Sequence, residues 1–359
     1  MQAMTSRERV LTVVHREQAD RVPVDFAANP ATLERLLSNL GCATHYQLLQ
    51  RLRADIVDLR GVVDPVWRGP KPCNHVFPDG TKENFWGWRT KVMETATGPE
   101  ESFCEFPLAG CTSVKELAAH DWPSPDWFDF TDFAARLDEW NGFAVMASGA
   151  SIWQHPTFLR GIDNLLVDMM ADPELADFLL DTFTDFYVAY FDRMFSAAPG
   201  RIDILRIADD LGMQDRLLIS PELFAQYVAP RLRRLIDMAH HHGIKVMFHS
   251  CGAILPLIDD LIAVGVDILD PLQVTANGMD PATIKTRFGS RLCLHGAMDT
   301  QYLLPQGSPD DVRRTARQMI EILGDGGGFI LSPSHVLQTD VPTKNILALY
   351  EAERNMGKA

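Results

Sequence analysis

Apolar and polar positions alternate between two periods along the second half of this chain. Short β-branched and apolar runs are followed by longer stretches with helical spacing and recognisable caps. Residues 202–207 predict a strand. A helix follows, opened by Ser220 and Pro221 and closed near Gly243. Strands are predicted over 245–248 and 266–269, separated by a helix over 254–263 that Gly265 stops. A helix over 281–288 ends at Gly289, and 291–295 predicts a strand. Ser308, Pro309 and Asp311 open a long helix that ends at Gly324. The last strand is predicted over 328–333 and the last helix over 345–355. Earlier candidates at 22–26, 55–59 and 143–147 bring the strands to eight.

Repeated βα units in that number imply a closed parallel barrel, with function at the C-terminal ends of its strands. The expected fold is therefore α/β, a (β/α)8 TIM barrel forming a single domain over 1–359. An open doubly wound sheet is the alternative, but no glycine-rich dinucleotide loop follows an early strand. Residues 61–142 break the rhythm. A turn signal, Phe77-Pro78-Asp79-Gly80-Thr81, precedes the aromatic stretch Asn84-Phe85-Trp86-Gly87-Trp88. This segment reads as an insertion with a hairpin, either a lid over the barrel mouth or plain surface structure.

Composition narrows the partners. Lys+Arg 33 against Asp+Glu 48 gives a net charge of −15, which disfavours nucleic acid and anionic membranes. No apolar run approaches the length of a bilayer span. The opening residues, Met1 to Arg9, are polar and charged, so no secretory leader is expected. Cysteines at 42, 73, 104, 111, 251 and 293 form no disulfide framework and suit a reduced, cytoplasmic setting.

The chemistry centres on Phe248-His249-Ser250-Cys251-Gly252. Side chains alternate along a strand, so His249 and Cys251 leave the same side of one strand end. Imidazole with thiolate is zinc's preferred ligand chemistry. A buried thiol beside a hydrogen-bonded histidine would give the same motif, but placement at a barrel strand end favours the metal. Ser332-Pro333-Ser334-His335 brings His335 to the same layer. His249, Cys251 and His335 would then form a three-ligand zinc site with an open fourth position. Cys293 and His295 compete for the ligand role; Cys293 suits core packing and His295 the pocket wall. Asp210, beside Asp209, is expected to orient a ligand or act as acid or base, and Asp299 and Gln301 close the strand that carries His295. Asp270 and Gln273 lie one strand earlier. His240-His241-His242 sits at a helix end, where it complements the dipole rather than a metal.

Several segments together resemble the uroporphyrinogen decarboxylase superfamily, in its corrinoid-dependent, zinc-containing methyltransferase branch. They are Arg7-Glu8-Arg9-Val10-Leu11, Asp20-Arg21-Val22-Pro23-Val24-Asp25-Phe26, Asp209-Asp210-Leu211-Gly212-Met213-Gln214, Ser220-Pro221-Glu222, His249-Ser250-Cys251-Gly252, the stretch from Gly265 through Asp270 to Gln273, Gly278-Met279-Asp280-Pro281, Asp299-Thr300-Gln301 and Pro342-Thr343-Lys344-Asn345-Ile346. The resemblance implies the same barrel fold. Decarboxylases of the superfamily carry an Arg-Gln-Ala-Gly-Arg clamp where this chain reads Phe26-Ala27-Ala28-Asn29-Pro30. The methyltransferase branch uses a His-x-Cys…Cys zinc site, matched by His249 and Cys251, with His335 standing in place of the second cysteine. One thiolate with two imidazoles leaves a more Lewis-acidic ion, suited to a leaving alkoxide or phenolate.

The expected activity is O-demethylation: a methyl passes from a small methylated substrate to the cobalt of a corrinoid (cobalamin) carried by a partner protein. Phe85 to Trp88 would shelter an aromatic ether. Gln214, Gln273 and Gln301 are expected at the cofactor-facing rim, with Asp210, Asp299 and His295 in catalytic roles. No Asp-x-His-x-x-Gly cobalamin segment occurs within the chain. Barrels of this kind often pair, so a homodimer is compatible. The rival readings are methylcorrinoid:thiol methyl transfer, a cofactor-independent decarboxylase, and a non-enzymatic barrel that presents a corrinoid protein.

Overall fold

The structure, a computed structural model, describes residues 3–95 and 98–352. The predicted last turn of the final helix, 353–355, lies outside the described residues. In chain order the strands are β1 (Ile56–Asp58), β2 (Val66–Trp67), β3 (Asn74–Val76), β4 (Lys82–Asn84), β5 (Arg89–Thr95), β6 (Gly98–Glu105), β7 (Phe128–Asp129), β8 (Ala144–Ala150), β9 (Ile204–Ala208), β10 (Lys245–His249), β11 (Ile268–Leu272), β12 (Cys293–Met298) and β13 (Phe329–Pro333). Seven of them form one parallel sheet in the order β1-β8-β9-β10-β11-β12-β13. The predicted strand at 22–26 takes the eighth place with a single bridge, Val24 to Leu331. Asp25 N donates to Leu331 O at 3.0 Å and Asp55 N to Val24 O at 2.8 Å, so this segment closes the sheet into a barrel.

The interior alternates by layers, as strand geometry requires. Ile56, Met146, Ile204, Met247, Ile268, Cys293 and Ile330 form a buried apolar layer, plugged from below by Val10, Val13 and Val14 of the helix Ser6–Val14. Two residues further along each strand the interior turns polar: Asp58, Ser148, Arg206, His249, Asp270, His295 and Ser332. The larger apolar core lies between the strands and the helices outside them. β11 and β12 run three residues beyond their predicted ends. Asp270 and Gly296 look like strand breakers in sequence, yet Asp270 continues the strand because its carboxylate is paired inside the barrel.

Three of the barrel strands begin with an isoleucine that directly follows an aspartate, at 55, 203 and 267. Each aspartate accepts a backbone N–H from the neighbouring strand: Asp55 from Val24 at 2.9 Å, Asp203 from Val145 at 2.9 Å, Asp267 from Val246 at 2.9 Å. The first of these also binds Arg9 and Arg21, and Arg9 in turn binds Asp20 at 2.6 Å. The hydrogen bond from Arg9 holds the Asp20 carboxyl down at about 2, below its ordinary 3.8. A depressed carboxyl stabilises the fold above its unfolded pKa, and that contribution disappears as pH falls from about 4 to about 2. Asp20→Asn is expected to cost about 1 kcal/mol at neutral pH, after allowing for solvent screening, and to flatten the acid limb of the stability curve measured by urea unfolding.

The helices fulfil the predicted caps. Ser308 and Asp311 form a reciprocal capping box, and Ser220 accepts from Leu223 N at 3.3 Å. The helix after Ser220 is interrupted by a π turn, Phe224–Val228, before Ala229–His241. His240 and His242 pair with Asp267 and Asp192, fastening this helix end to its neighbours. Within 61–142 the predicted turn joins β3 to β4 of a four-stranded antiparallel sheet, and β2 pairs with β7. Trp86 stacks on Phe183 of the helix Pro173–Ala197 at 4.3 Å, which ties the insertion to the barrel's outer shell.

Candidate metal centre

The loops after β9 and β10 are built against each other. Asp209 N donates to His249 O, Leu211 N to Ser250 Oγ, Cys251 N to Asp210 Oδ1 and Ala253 N to Met213 O, all at 2.8–2.9 Å. Gly252 has φ +92, and a Cβ there would lie 2.5 Å from Met213 O, so only glycine fits behind Cys251. Asp209 is buried and accepts from Ser151 Oγ and from the backbone N–H groups of Ile152, Trp153 and Gln154. Its role is to anchor the loop after β8, which leaves Asp210 facing the site.

His249, Cys251 and His335 come together. One potential ligand atom from each lies within 4.8 Å of the others. His249 Nε2 and Cys251 Sγ are 3.6 Å apart. A tetrahedral zinc with ordinary bond lengths has N···S edges of about 3.6 Å. The His249 and His335 ring centroids are 6.0 Å apart, and His335 is the exposed member of the three. The loop carrying it is fixed by Ser334 N donating to Met298 O at 2.8 Å.

The layer beneath orients the pair. Asp270 Oδ2 lies 2.8 Å from His249 Nδ1, and Arg206 Nε donates to the same oxygen at 2.8 Å. With Nδ1–H directed at the carboxylate, Nε2 is left free as a ligand, the usual carboxylate–histidine–metal arrangement. Arg206 Nη2 also sits 2.7 Å from Nδ1. Asp270 Oδ1 meets His295 Nδ1 at 2.8 Å, and His295 Nε2 meets Asp25 Oδ2 at 3.1 Å. Burial opposes ionisation of Asp270, but Arg206 and then His249 and His295 hold its carboxyl well below the usual range. Burial pulls the His295 imidazole down while Asp270 and Asp25 push it up, to about 9, so it is a buried imidazolium at neutral pH.

Near the three ligands, carboxylates at Asp25, Asp210 and Asp270 outnumber the cations Arg206 and His295. Burial, Asp210 and Asp270 together push the Cys251 thiol up, and burial lowers His335. Neither group gains a charge unaided, and a divalent cation supplies the compensating field that lets such a thiol ionise. The donor set, the orienting carboxylate and the surplus negative charge all fit zinc.

The other expected residues divide. Asp210 is at the centre, with Oδ1 3.8 Å from His249 Nε2 and Oδ2 accepting from Gln154. His295 is beneath it. Asp299 accepts three backbone N–H groups, from Gln301, Tyr302 and Leu303, which opens the following turn. Gln273 accepts from Gly252 N and donates to Gln214, while Thr275 joins Gln301, so the three glutamines lie along one hydrogen-bonded rim beside the ligand loop. Cys293 is in the apolar layer. Sequence reasoning missed Asp25, Asp58, Ser148 and Arg206. Each is the polar residue two positions beyond, or beside, an apolar interior position, and that register was the available signal.

The family profile for uroporphyrinogen decarboxylase (URO-D) matches residues 135–356, and the chain belongs to that family. Over 191 residues it is 24% identical to a methylcobamide:CoM methyltransferase of Methanosarcina acetivorans, covering 52% of this chain and 51% of that one. A methylated-thiol–coenzyme M methyltransferase of Methanosarcina mazei is 28% identical over 45% of this chain and 41% of its own length. A uroporphyrinogen decarboxylase of Coxiella burnetii is 24% identical over 51% and 48%. The chain thus spans about half the length of the curated relatives it matches. A solved methyltransferase from Methanosarcina mazei superposes with a TM-score of 0.69 over 99% of both chains at 19% identity, a likeness of fold.

Proposed function

We propose that this chain is a zinc-dependent methyltransferase that moves a methyl group from a small O-methyl substrate to the cobalt of a separate corrinoid protein. The observation that carries the reading is the convergence of His249, Cys251 and His335 at one barrel strand layer. Zinc held there would supply Lewis acidity to the oxygen that loses its methyl. The chain's own residues set the stage for that. Asp270 fixes the His249 tautomer, Asp210 fixes the Cys251 backbone, and the buried His295 imidazolium holds Asp270 in place. Asp210, 3.8 Å from His249 Nε2, would also serve as a polar partner for a group bound at the metal. Gln214, Gln273 and Gln301 line the rim that a corrinoid partner would meet. Decarboxylation is disfavoured because Asn29 and Pro30 begin a helix where the substrate-gripping arginines would be needed.

Mixed with a reduced corrinoid protein and methoxylated substrates, the protein is expected to produce methyl–cobalt absorbance that depends on substrate. No such signal across a broad panel would contradict the proposal. A second reading is favoured by the names of the methyltransferase relatives: transfer from a methylated corrinoid to a thiol. Loss of methyl–cobalt absorbance on adding a thiol acceptor, with no reaction from any methyl ether, would select that direction instead.

A further inference from the structure

A cavity of about 580 Å³ lies between the ends of β1 and β8, the inserted region and the helix Pro173–Ala197. That is within the size range of small-molecule sites. Aromatic rings form one side of it, including Trp67, Phe85, Trp88, Phe128, Phe186 and Tyr190. These rings are held by one another: Phe186 stacks on Tyr190 at 5.8 Å, and Trp67 meets Phe85 at 5.4 Å and Phe128 at 5.1 Å. The slot is therefore preformed rather than assembled around a ligand. Aromatic walls favour a planar ring by offset or edge contacts.

Arg60 is the cation on this wall. Among the described residues no carboxylate pairs with its guanidinium, although its backbone N–H is fixed by Asp58 Oδ1 at 3.1 Å. Two of its neighbours in the wall, His155 and Tyr187, are bonded to each other and stay neutral. The lining also holds one carboxylate, Asp64, but its oxygens accept from Gly61 N at 3.1 Å and form no ion pair with Arg60 among the described residues. The Arg60 guanidinium is thus matched to a ligand carboxylate, which it would grip through two parallel hydrogen bonds. Ser148 reaches the same cavity, and it is in register with Arg206, whose guanidinium touches His249. The cavity thus borders the strand that abuts the metal ligands.

We infer that this chamber binds a planar aromatic ring bearing a carboxylate, with Arg60 as the residue that selects the anion. The inference rests on the methyltransferase reading and names its substrate class: methyl ethers of aromatic acids.

The probes are para-methoxybenzoate, the neutral para-methoxybenzamide and cyclohexanecarboxylate, titrated into the wild-type protein by calorimetry. The acid is expected to bind at least about 10-fold more tightly than either of the others, the usual scale of a charge-assisted pair. Arg60→Gln should erase the preference of acid over amide, and Arg60→Lys should keep part of it. Equal binding of all three probes, or an acid preference that survives in Arg60→Gln, would overturn the assignment. If no aromatic acid binds while methyl transfer from a non-aromatic ether continues, the chamber assignment fails and the methyltransferase reading stands. If the acid binds through Arg60 and no donor of any kind yields methyl transfer, the chamber stands and the methyltransferase reading fails.

Discussion

Alanine at His249, Cys251 or His335 is expected to weaken zinc binding by at least about 10-fold in each case, and Cys251→Ala to eliminate methyl transfer. The expected order follows from burial. His249 is buried and oriented by Asp270, so its loss removes a fixed ligand and leaves a buried carboxylate and guanidinium without their third partner. Cys251 provides the only thiolate of the set. His335 is exposed, so its removal should leave folding intact while opening the coordination sphere. Competition with a chromophoric chelator measures the affinities, and thermal unfolding of the metal-free proteins separates ligand loss from misfolding. His335→Ala with undiminished zinc affinity would remove it from the ligand set. His335→Cys tests the Lewis-acid argument, because a second thiolate lowers the ion's net charge and should slow release of an oxygen leaving group.

Asp55→Ala is expected to destabilise the protein by about 3–5 kcal/mol, the scale for breaking a buried ion network by removing one partner. Asp55 is fully buried. Its two oxygens accept from Arg9 at 2.7 Å, from both Arg21 amino groups at 2.8 Å and from Val24 N at 2.9 Å. Alanine would take the shared carboxylate from two guanidinium groups, although Arg9 keeps Asp20, and would free the segment that closes the barrel between β13 and β1. Equilibrium urea unfolding gives the loss, and a change under about 1 kcal/mol would show that barrel closure does not depend on this clasp. Because the network lies at the opposite end of the strands from His249, zinc affinity in the folded variant should be unchanged.

The barrel was legible because its strands are short apolar runs separated by well-capped helices. Ser308 with Asp311, and Ser220 with Pro221, announce their helices in sequence and cap them in the structure. The three residues that could hold a metal were legible for a similar local reason. His249 and Cys251 share a strand side, and His335 lies just past the closing strand. What was hidden depends on cross-strand register. Asp58 and Arg206 belong to a polar layer drawn from seven strands, with Asp25 on the closing segment beside it, only once the strands are aligned, and no local pattern states that alignment. The end of β11 was misplaced for the same reason, since Asp270 reads as a strand breaker until Arg206, His249 and His295 are brought to it. The aromatic stretch 84–88 was visible as a cluster, but its cavity is completed by Phe186 and Tyr190, about a hundred residues away in sequence.

X-ray absorption at the zinc edge, taken with the metal content of the purified wild-type protein, addresses the centre itself. One zinc per chain, bound by one sulfur and two imidazole nitrogens with a lighter fourth ligand, is the predicted result. A zinc shell without sulfur, or a well-folded protein that takes up no zinc from solution, would contradict it.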